Sequence, residues 1–203
     1  FGSDSALSLR ERVAMALFNK GLTLGTLGRS EDAIAVYDGL LARFGSASEL
    51  PLRQGVVMAL FNKGCMLNVL GRSEDAIAVY DGLLTRFGSA SELPLRQGVA
   101  KALFNKGCML GALGRSKGAI AVFDDLLARF GSDSALPLRE QVAKALFNKG
   151  ETLGALGRDR GATDVLQDIV ARFGWEVEAP FDDLVARAWD ALTFIAWKQR
   201  SAV

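Results

Sequence analysis

The tripeptide Phe-Gly-Ser begins at residues 1, 44, 87 and 130, and Phe-Gly occurs again at residue 173. Each interval is 43 residues, and the hexapeptide Ala-Leu-Phe-Asn-Lys-Gly recurs at the same spacing. A fixed period of this length is typical of solenoids, in which each unit packs only against its neighbours. We therefore divide the chain into four units, 1–43, 44–86, 87–129 and 130–172, followed by a divergent segment, 173–203, and expect a single solenoid domain over 1–203.

Each unit is predicted to be a pair of helices. In the first unit, apolar residues recur at helical spacing over residues 13–24, and Gly28 supplies the residue that ends this first helix. Ser30 is placed to cap a second helix, which is expected to stop at Gly45. Proline fits only the first turn of a helix, and it recurs near the start of the later first helices at Pro51, Pro94, Pro137 and Pro180. No strand pattern is present, so the fold class is predicted to be all-α.

Small residues are expected to bring the two helices of a unit together. Gly21 and Ala33 lie on facing helices of the first hairpin, where they allow the backbones to approach closely while Tyr37 fills the space around them. A lone hairpin cannot bury both of its apolar faces, so the units must stack.

The stretch over residues 16–41, ALFNKGLTLGTLGRSEDAIAVYDGLL, resembles a tetratricopeptide repeat (TPR). The places of the family pattern are taken by Leu17, Gly21, Leu24, Ala33 and Tyr37, and the later units match at the equivalent positions. The match covers about 34 of every 43 residues and is similar to the long-repeat, TPR-like class with near-identical units. The resemblance implies an α-solenoid with a right-handed superhelical course. We expect residues 173–203 to supply a C-terminal capping helix.

A second face of each first helix carries the candidate binding residues, and we call it the stripe. In the four units it consists of Met15, Phe18, Asn19, Leu22 and Thr26; Met58, Phe61, Asn62, Cys65 and Val69; Lys101, Phe104, Asn105, Cys108 and Ala112; and Lys144, Phe147, Asn148, Glu151 and Ala155. The matching positions of TPR folds line a concave groove. The resemblance therefore implies a non-catalytic scaffold that binds a protein or peptide partner on this face, with Phe18, Asn19, Phe61, Asn62, Lys101, Phe104, Asn105, Lys144, Phe147 and Asn148 as the candidate contacts.

The chemistry of these side chains fits a peptide. An asparagine amide offers one acceptor and two donors, so a row of four can hold the main chain of an extended segment. The phenylalanines would provide apolar pockets. Lys101 and Lys144, one turn before Asn105 and Asn148, resemble the Lys-Asn pairs by which some family members bind a C-terminal carboxylate.

The residues of the stripe also suit roles inside the fold. The asparagines are as well suited to bridging neighbouring first helices as to binding a ligand, whereas large aromatic residues such as the phenylalanines favour packing between units. The two lysines fit a solvated pair as well as a clamp, and recent duplication copies every residue whether or not it is useful. The alternative function is a structural spacer or self-associating arm of a larger, bacterial-type protein.

Composition excludes other classes of function. The 24 Lys and Arg residues nearly balance 23 Asp and Glu, which leaves no field to attract nucleic acid, and charges interrupt every apolar stretch before the roughly 20 residues that a membrane span needs. Histidine is absent, so the commonest general base and metal ligand are missing; no enzyme, catalytic residue, metal or cofactor is expected. Two cysteines in equivalent positions one unit apart, Cys65 and Cys108, are too distant for a disulfide and favour a reducing, cytoplasmic location.

The two ends of the repeat are expected to differ. The tail helix keeps Val185 and Ala188 in phase with the first helices and then diverges, as a cap does. The first unit has no such cover for Leu7, Leu9 and Val13, so we expect it to pair with another copy of the chain. The absence of an initial methionine leads us to expect a longer natural protein.

Overall fold

The computed structural model describes residues 2–176 and 181–201; Phe1, Pro180 and part of the predicted capping segment lie outside these ranges. The described residues form helices connected by short turns, with no strand among them. The helices are α1 (Gly2–Thr26), α2 (Ser30–Phe44), α3 (Leu50–Val69), α4 (Ser73–Phe87), α5 (Leu93–Ala112), α6 (Ser116–Phe130), α7 (Leu136–Ala155), α8 (Asp159–Phe173) and α9 (Phe181–Ser201). The all-α, TPR-like solenoid fold is confirmed, while its right-handed course stays a prediction.

A glycine turn joins the two helices of each hairpin. Gly28 has a φ of 75°, in the left-handed region that glycine adopts without strain. The amide of Arg29 donates to the carbonyl of Leu24 at 2.9 Å, which is the bond that closes a Schellman turn at a helix end. Gly71, Gly114 and Gly157 repeat this conformation. The prediction that Gly28 ends the first helix is confirmed.

The prediction that Ser30 caps the second helix is wrong. Ser30 is itself the first residue of α2, and no side chain caps that helix. The reason is the turn before it: the carbonyl of Arg29 already accepts the bond from the amide of Ala33 at 3.0 Å, so the helix starts one residue early. Ser30 is consequently buried, at 4% exposure.

Within each hairpin, the glycine of the hexapeptide faces a large side chain of the second helix. A Cβ atom on Gly21 would lie 2.5 Å from Cε1 of Tyr37, and one on Gly64 would lie 2.5 Å from Cε1 of Tyr80. Ala33 is fully buried on the facing helix. Because the hexapeptide glycine has no side chain, it leaves the space that the aromatic ring occupies.

The chain forms two compact units, Phe1–Ala102 and Leu103–Val203. In the first, α3 packs against α1 and α2, and Leu52, Val56 and Ala59 are fully buried. Arg10 and Glu49 form an ion pair at 2.5 Å, as do Arg53 and Glu92, and each pair joins consecutive repeats. The expectation of one domain over residues 1–203 stays a prediction.

In the second unit, α7 packs against α6 and α8, and α9 packs against α8 and α7. The Phe181 ring at the start of α9 stacks on that of Phe173, with ring centroids 4.8 Å apart. The guanidinium of Arg139 lies over both rings, 5.6 Å from the centroid of Phe173 and 5.2 Å from that of Phe181. Ala188 is fully buried, as its phase with the earlier first helices predicted. The capping helix covers the end of the last hairpin.

Candidate functional site

The phenylalanines of the stripe are half-buried in the first three repeats and pack against their own hairpins. The Phe18 and Tyr37 ring centroids are 6.2 Å apart and tilted by 40°, and Phe61 and Tyr80 repeat the arrangement at 6.1 Å and 35°. Phe104 lies 6.3 Å from the Phe123 ring. Each of these rings therefore packs against an aromatic ring of the second helix in its own hairpin.

Phe147 differs from its three equivalents. It is buried, at 5% exposure, and the guanidinium of Arg187 on α9 lies 4.2 Å from its ring centroid. A cation over an aromatic face is attracted by the ring quadrupole. The capping helix therefore covers the place where an open pocket was expected.

Two asparagines of the stripe, Asn62 and Asn148, bond within their own helices. Nδ2 of Asn62 donates to the carbonyl of Met58 at 2.8 Å, and Nδ2 of Asn148 donates to that of Lys144 at 2.9 Å. These bonds orient each amide but engage only one of its donors. Neither Asn62 nor Asn148 bridges to another helix among the described residues. Asn19 is exposed and Asn105 is half-buried.

Two sets of lysines have different roles. Two of the hexapeptide lysines reach the preceding second helix, where Lys63 pairs with Asp38 at 2.5 Å and Lys149 with Asp124 at 2.6 Å. Lys101, which is exposed, and Lys144, which is half-buried, form no ion pair with any residue that the structure describes. Their ammonium groups are therefore available to an anionic ligand.

Two pockets open along α7 in the second unit. The first, of about 370 Å³, lies against α5 and α6 and is lined by Cys108, Phe123, Asn148, Glu151 and Thr152 among others; we call it the amide pocket. The second, of about 500 Å³, lies against α8 and α9 and includes Glu151, Asp159, Leu166, Asp190, Phe194 and Lys198; we call it the acidic pocket. Glu151 lines both pockets, so a ligand that follows the stripe of α7 would pass from one to the other.

Two of the three carboxylates of the acidic pocket have no ion pair within the described part of the chain. Asp159 is neutralised by Lys198, whose ammonium lies 3.1 Å from Oδ2. Glu151 and Asp190 are exposed and are the two without such a partner. Leu166 and Ile195, both buried, give the pocket an apolar floor. The arrangement suits a side chain with an apolar stem and a cationic end.

Sequence reasoning selected Asn148, which lines the amide pocket, but missed Asp190 and Phe194. The signal was present, because the 43-residue register continues into α9: Asp190 stands at the position of Phe147, and Phe194 at that of Glu151. This equivalence is overlooked when α9 is regarded as a helix that departs from the repeat.

The two cysteines are half-buried and form no disulfide. Sγ of Cys65 lies 3.5 Å from the Tyr80 hydroxyl. Burial raises the pKa of Cys108 to about 11, so its thiol stays protonated near neutral pH. No cluster of three or more His, Cys, Asp or Glu side chains able to hold a metal occurs among the described residues. None of the described helices combines the length and apolar character needed to cross a membrane.

Comparisons with known proteins agree with the fold. A family model described as tetratricopeptide repeat matches residues 18–91. No curated protein matches the chain. Two crystal structures of a putative kinesin light chain from Podosopora anserina, described as nearly identical TPR-like repeats, share 10% identity with it. They superpose with TM-scores of 0.65 and 0.64, each over 95% of this chain and over 94% and 95% of theirs. The crystal structure of an engineered protein superposes with a TM-score of 0.52 at 18% identity, over 96% of this chain and 76% of the other.

The family match over residues 18–91 and the shared architecture agree on the fold: the chain has a TPR-like repeat fold. TPR repeats generally mediate protein–protein interactions, and the fold is generally a non-catalytic scaffold.

Proposed function

We propose that the chain binds an extended peptide segment of a partner protein along the stripe of its first helices. The observation that carries the proposal is the pair of open pockets along α7, which share Glu151 and include Asn148. Two neighbouring pockets on consecutive repeats can each bind a different part of one extended ligand.

The amide pocket is assigned to the peptide main chain. The side-chain amide of Asn148 keeps its oxygen, Oδ1, and one N–H group without a described partner, because its one described bond runs from the other N–H group to the carbonyl of Lys144. Those two groups match the alternating donors and acceptors of an extended backbone. Lys144 would meet a carboxylate of the peptide, its C-terminal carboxylate included.

The acidic pocket is assigned to a lysine or arginine side chain of the peptide. Its methylene groups would lie on the apolar floor at Leu166 and Ile195, and its charge would meet Glu151 and Asp190. Charge-assisted hydrogen bonds of this kind are stronger than neutral ones. The preferred ligand is therefore an extended segment that contains a basic residue.

The test is peptide selection with the intact chain, followed by calorimetric titration of the selected peptides. Asn148→Ala is expected to weaken binding by about 2- to 12-fold, the equivalent of one hydrogen bond of 0.5–1.5 kcal/mol. Glu151→Gln should weaken basic peptides and leave their Lys/Arg→norleucine versions unchanged. Asp164→Asn, an exposed change on α8 outside both pockets, is the matched control. Selected peptides that bind all four proteins equally would refute this assignment.

Self-association is a second candidate function, favoured by the exposed face of α1. Leu9 is 64% exposed, whereas its equivalents Leu52, Leu95 and Leu138 are all 0% exposed. Lys20 is exposed and has no ion pair with a described residue, although Lys63 and Lys149 have one. We infer that a second copy of the chain covers this face. Light scattering over a concentration series should show a dimer that Leu9→Asp dissociates, and a monomer at every concentration would contradict it.

A reducing, cytoplasmic location remains part of the proposal because Cys65 and Cys108 form no disulfide. Localisation of the tagged protein by microscopy tests it.

A further inference from the structure

The capping helix occupies the place of a fifth first helix. Phe181 stands 43 residues after Leu138, and Ala188 stands 43 residues after Ala145; all four side chains are at most 2% exposed. Helix α9 packs against α8 and α7, as α3 packs against α2 and α1. The inward face of α9 therefore makes the contacts of an ordinary repeat interface.

The opposite face of α9 lacks the cover that the other first helices have. In the hairpins, the position of Gly21 or Gly64 is filled by a ring from the second helix. Its equivalent in α9 is Thr193, and no helix follows α9 among the described residues. A groove of about 480 Å³ lies there instead, lined by Thr163, Gln167, Val170 and Ala171 of α8 and by Trp189, Leu192, Thr193, Ile195, Ala196 and Gln199 of α9. We call it the end groove.

The lining of the end groove has lost the charges of the repeat. The ion pair Lys63–Asp38 joins a first helix to the preceding second helix, and the equivalent positions here are Leu192 and Gln167. Both partners of the pair have become uncharged. No charged side chain of the described residues lines the groove, and Trp189 leaves 55% of its surface exposed there. Covering such a surface with an apolar partner is favourable because it removes apolar area from water.

We propose that the end groove binds an amphipathic α-helix of a partner protein, laid where the second helix of a fifth hairpin would lie. The argument is continuity with the hairpin interface, in which every described first helix from α1 to α7 is followed by a helix of 15 residues. Helix-in-groove binding uses anchors spaced three and four residues apart. The neutral lining selects an apolar helix face. This site shares Ile195 with the acidic pocket but includes no residue of the stripe, and it does not depend on the peptide-binding function.

Thr193 sets the specificity of the end groove. At the equivalent Gly107, a Cβ atom would lie 2.5 Å from Cε1 of Phe123, so a threonine leaves no room for an aromatic residue at that depth. The guest helix must carry alanine or glycine opposite Thr193. A helix that carries the Phe123 of α6 at this position would be excluded.

The probe is the α6 sequence, residues Ser116–Phe130, as a peptide stapled on its polar face so that the helix is preformed. One version carries the native Phe123 and the other carries Phe123→Ala. Titrated against the intact chain, the alanine version is expected to bind at least tenfold more tightly than the phenylalanine version. Absence of binding by the alanine version, or equal binding by both, would overturn the proposal.

Two variants of the chain locate the site. Leu192→Glu should weaken the alanine peptide at least tenfold while leaving the peptides of the stripe unaffected. Thr193→Gly restores the glycine of the repeat and should reverse the preference, so that the phenylalanine version binds more tightly; this result does not require Leu192→Glu to fold. An unreversed preference would contradict the role of Thr193. A dimer of the intact chain that Leu192→Glu dissociates would assign the end groove to a second copy and overturn the proposal.

Discussion

Replacement of Gly64 by alanine tests the hairpin seam directly. The added Cβ would lie 2.5 Å from Cε1 and 2.6 Å from Cζ of Tyr80, where carbon atoms prefer about 3.5–4.0 Å. The ring must therefore move by about 1 Å, yet Tyr80 is fully buried and has little room to do so. Overpacking of this kind costs about 1–3 kcal/mol, against a gain of about 0.5–1 kcal/mol from replacing a helical glycine. We expect a net loss of about 1–2 kcal/mol.

The same hairpin contains its control. Gly82 lies in α4 with no atom within 4 Å of where its Cβ would be, so Gly82→Ala should stabilise the chain by about 0.5–1 kcal/mol through helix propensity alone. Urea titration followed by circular dichroism should move the two midpoints in opposite directions from that of the wild type. Equal midpoints, or a Gly64→Ala variant more stable than the wild type, would refute the close contact.

A second substitution shows which neighbour is responsible. In the fourth hairpin, Gly150 faces Leu166 instead of an aromatic ring. Tyr80→Leu copies that arrangement, so it should remove most of the extra cost of Gly64→Ala. A double-mutant cycle should give a coupling energy of about 1 kcal/mol or more. Additive effects would show that Tyr80 is not the residue that alanine displaces.

Three further predictions concern ion pairs and a thiol. Lys63→Met and Asp38→Asn should each cost about 0.2–1 kcal/mol in urea titrations, with no further loss in the double variant, because they break one partly exposed pair. Hydrogen bonds from their own backbone amides, together with the arginine partners, lower the pKa values of Glu49 and Glu92. The stability that these two carboxylates contribute is therefore present above pH 4.5 and is lost as the pH falls further. Thermal melts of the double variant Glu49→Gln plus Glu92→Gln should lack this pH-dependent loss of stability. The thiol of Cys108, with a pKa of about 11 against an ordinary 9.0, should react with iodoacetamide about 100-fold more slowly in the folded chain than in urea at pH 8, as mass spectrometry can measure.

The hairpins could be predicted because their signals are local. A left-handed glycine at Gly28 and a proline in the first turn at Pro51 each mark a helix boundary within a few residues of sequence. Ser30 was misplaced because its role depends on a hydrogen bond made by the preceding turn, which the residue type alone does not reveal.

The pockets could not be predicted because identical residues meet different neighbours. Phe61 and Phe147 stand at the same position of the repeat, but only Phe147 is covered by Arg187 of α9. Leu9 and Leu52 are likewise identical in sequence and opposite in exposure, at 64% and 0%. Burial at the ends of a solenoid depends on which helix comes next, and a repeat pattern does not contain that information.

The verbatim hexapeptide is largely explained by packing. In the second repeat Ala59 is fully buried, Phe61 lies against Tyr80, Lys63 reaches Asp38 of the preceding repeat, and Gly64 makes room for the Tyr80 ring. Each of these residues is required by a neighbouring helix. A change in any one of them would disturb an interface that recurs along the chain.

The asparagine is the exception, and duplication alone does not account for it. Asn62 and Asn148 form their described hydrogen bonds only within their own helices. The position three residues after each asparagine is leucine in the first unit, cysteine in the second and third, and glutamate in the fourth. Duplication of the repeat has therefore not preserved every residue of the stripe. If the asparagines serve the fold, leucine in their place should lower the melting temperature. If they serve a bound peptide, the same change should leave the melting temperature unaltered and abolish binding. The side-chain amide oxygen of Asn148, which lines the amide pocket without a described partner, favours the second outcome.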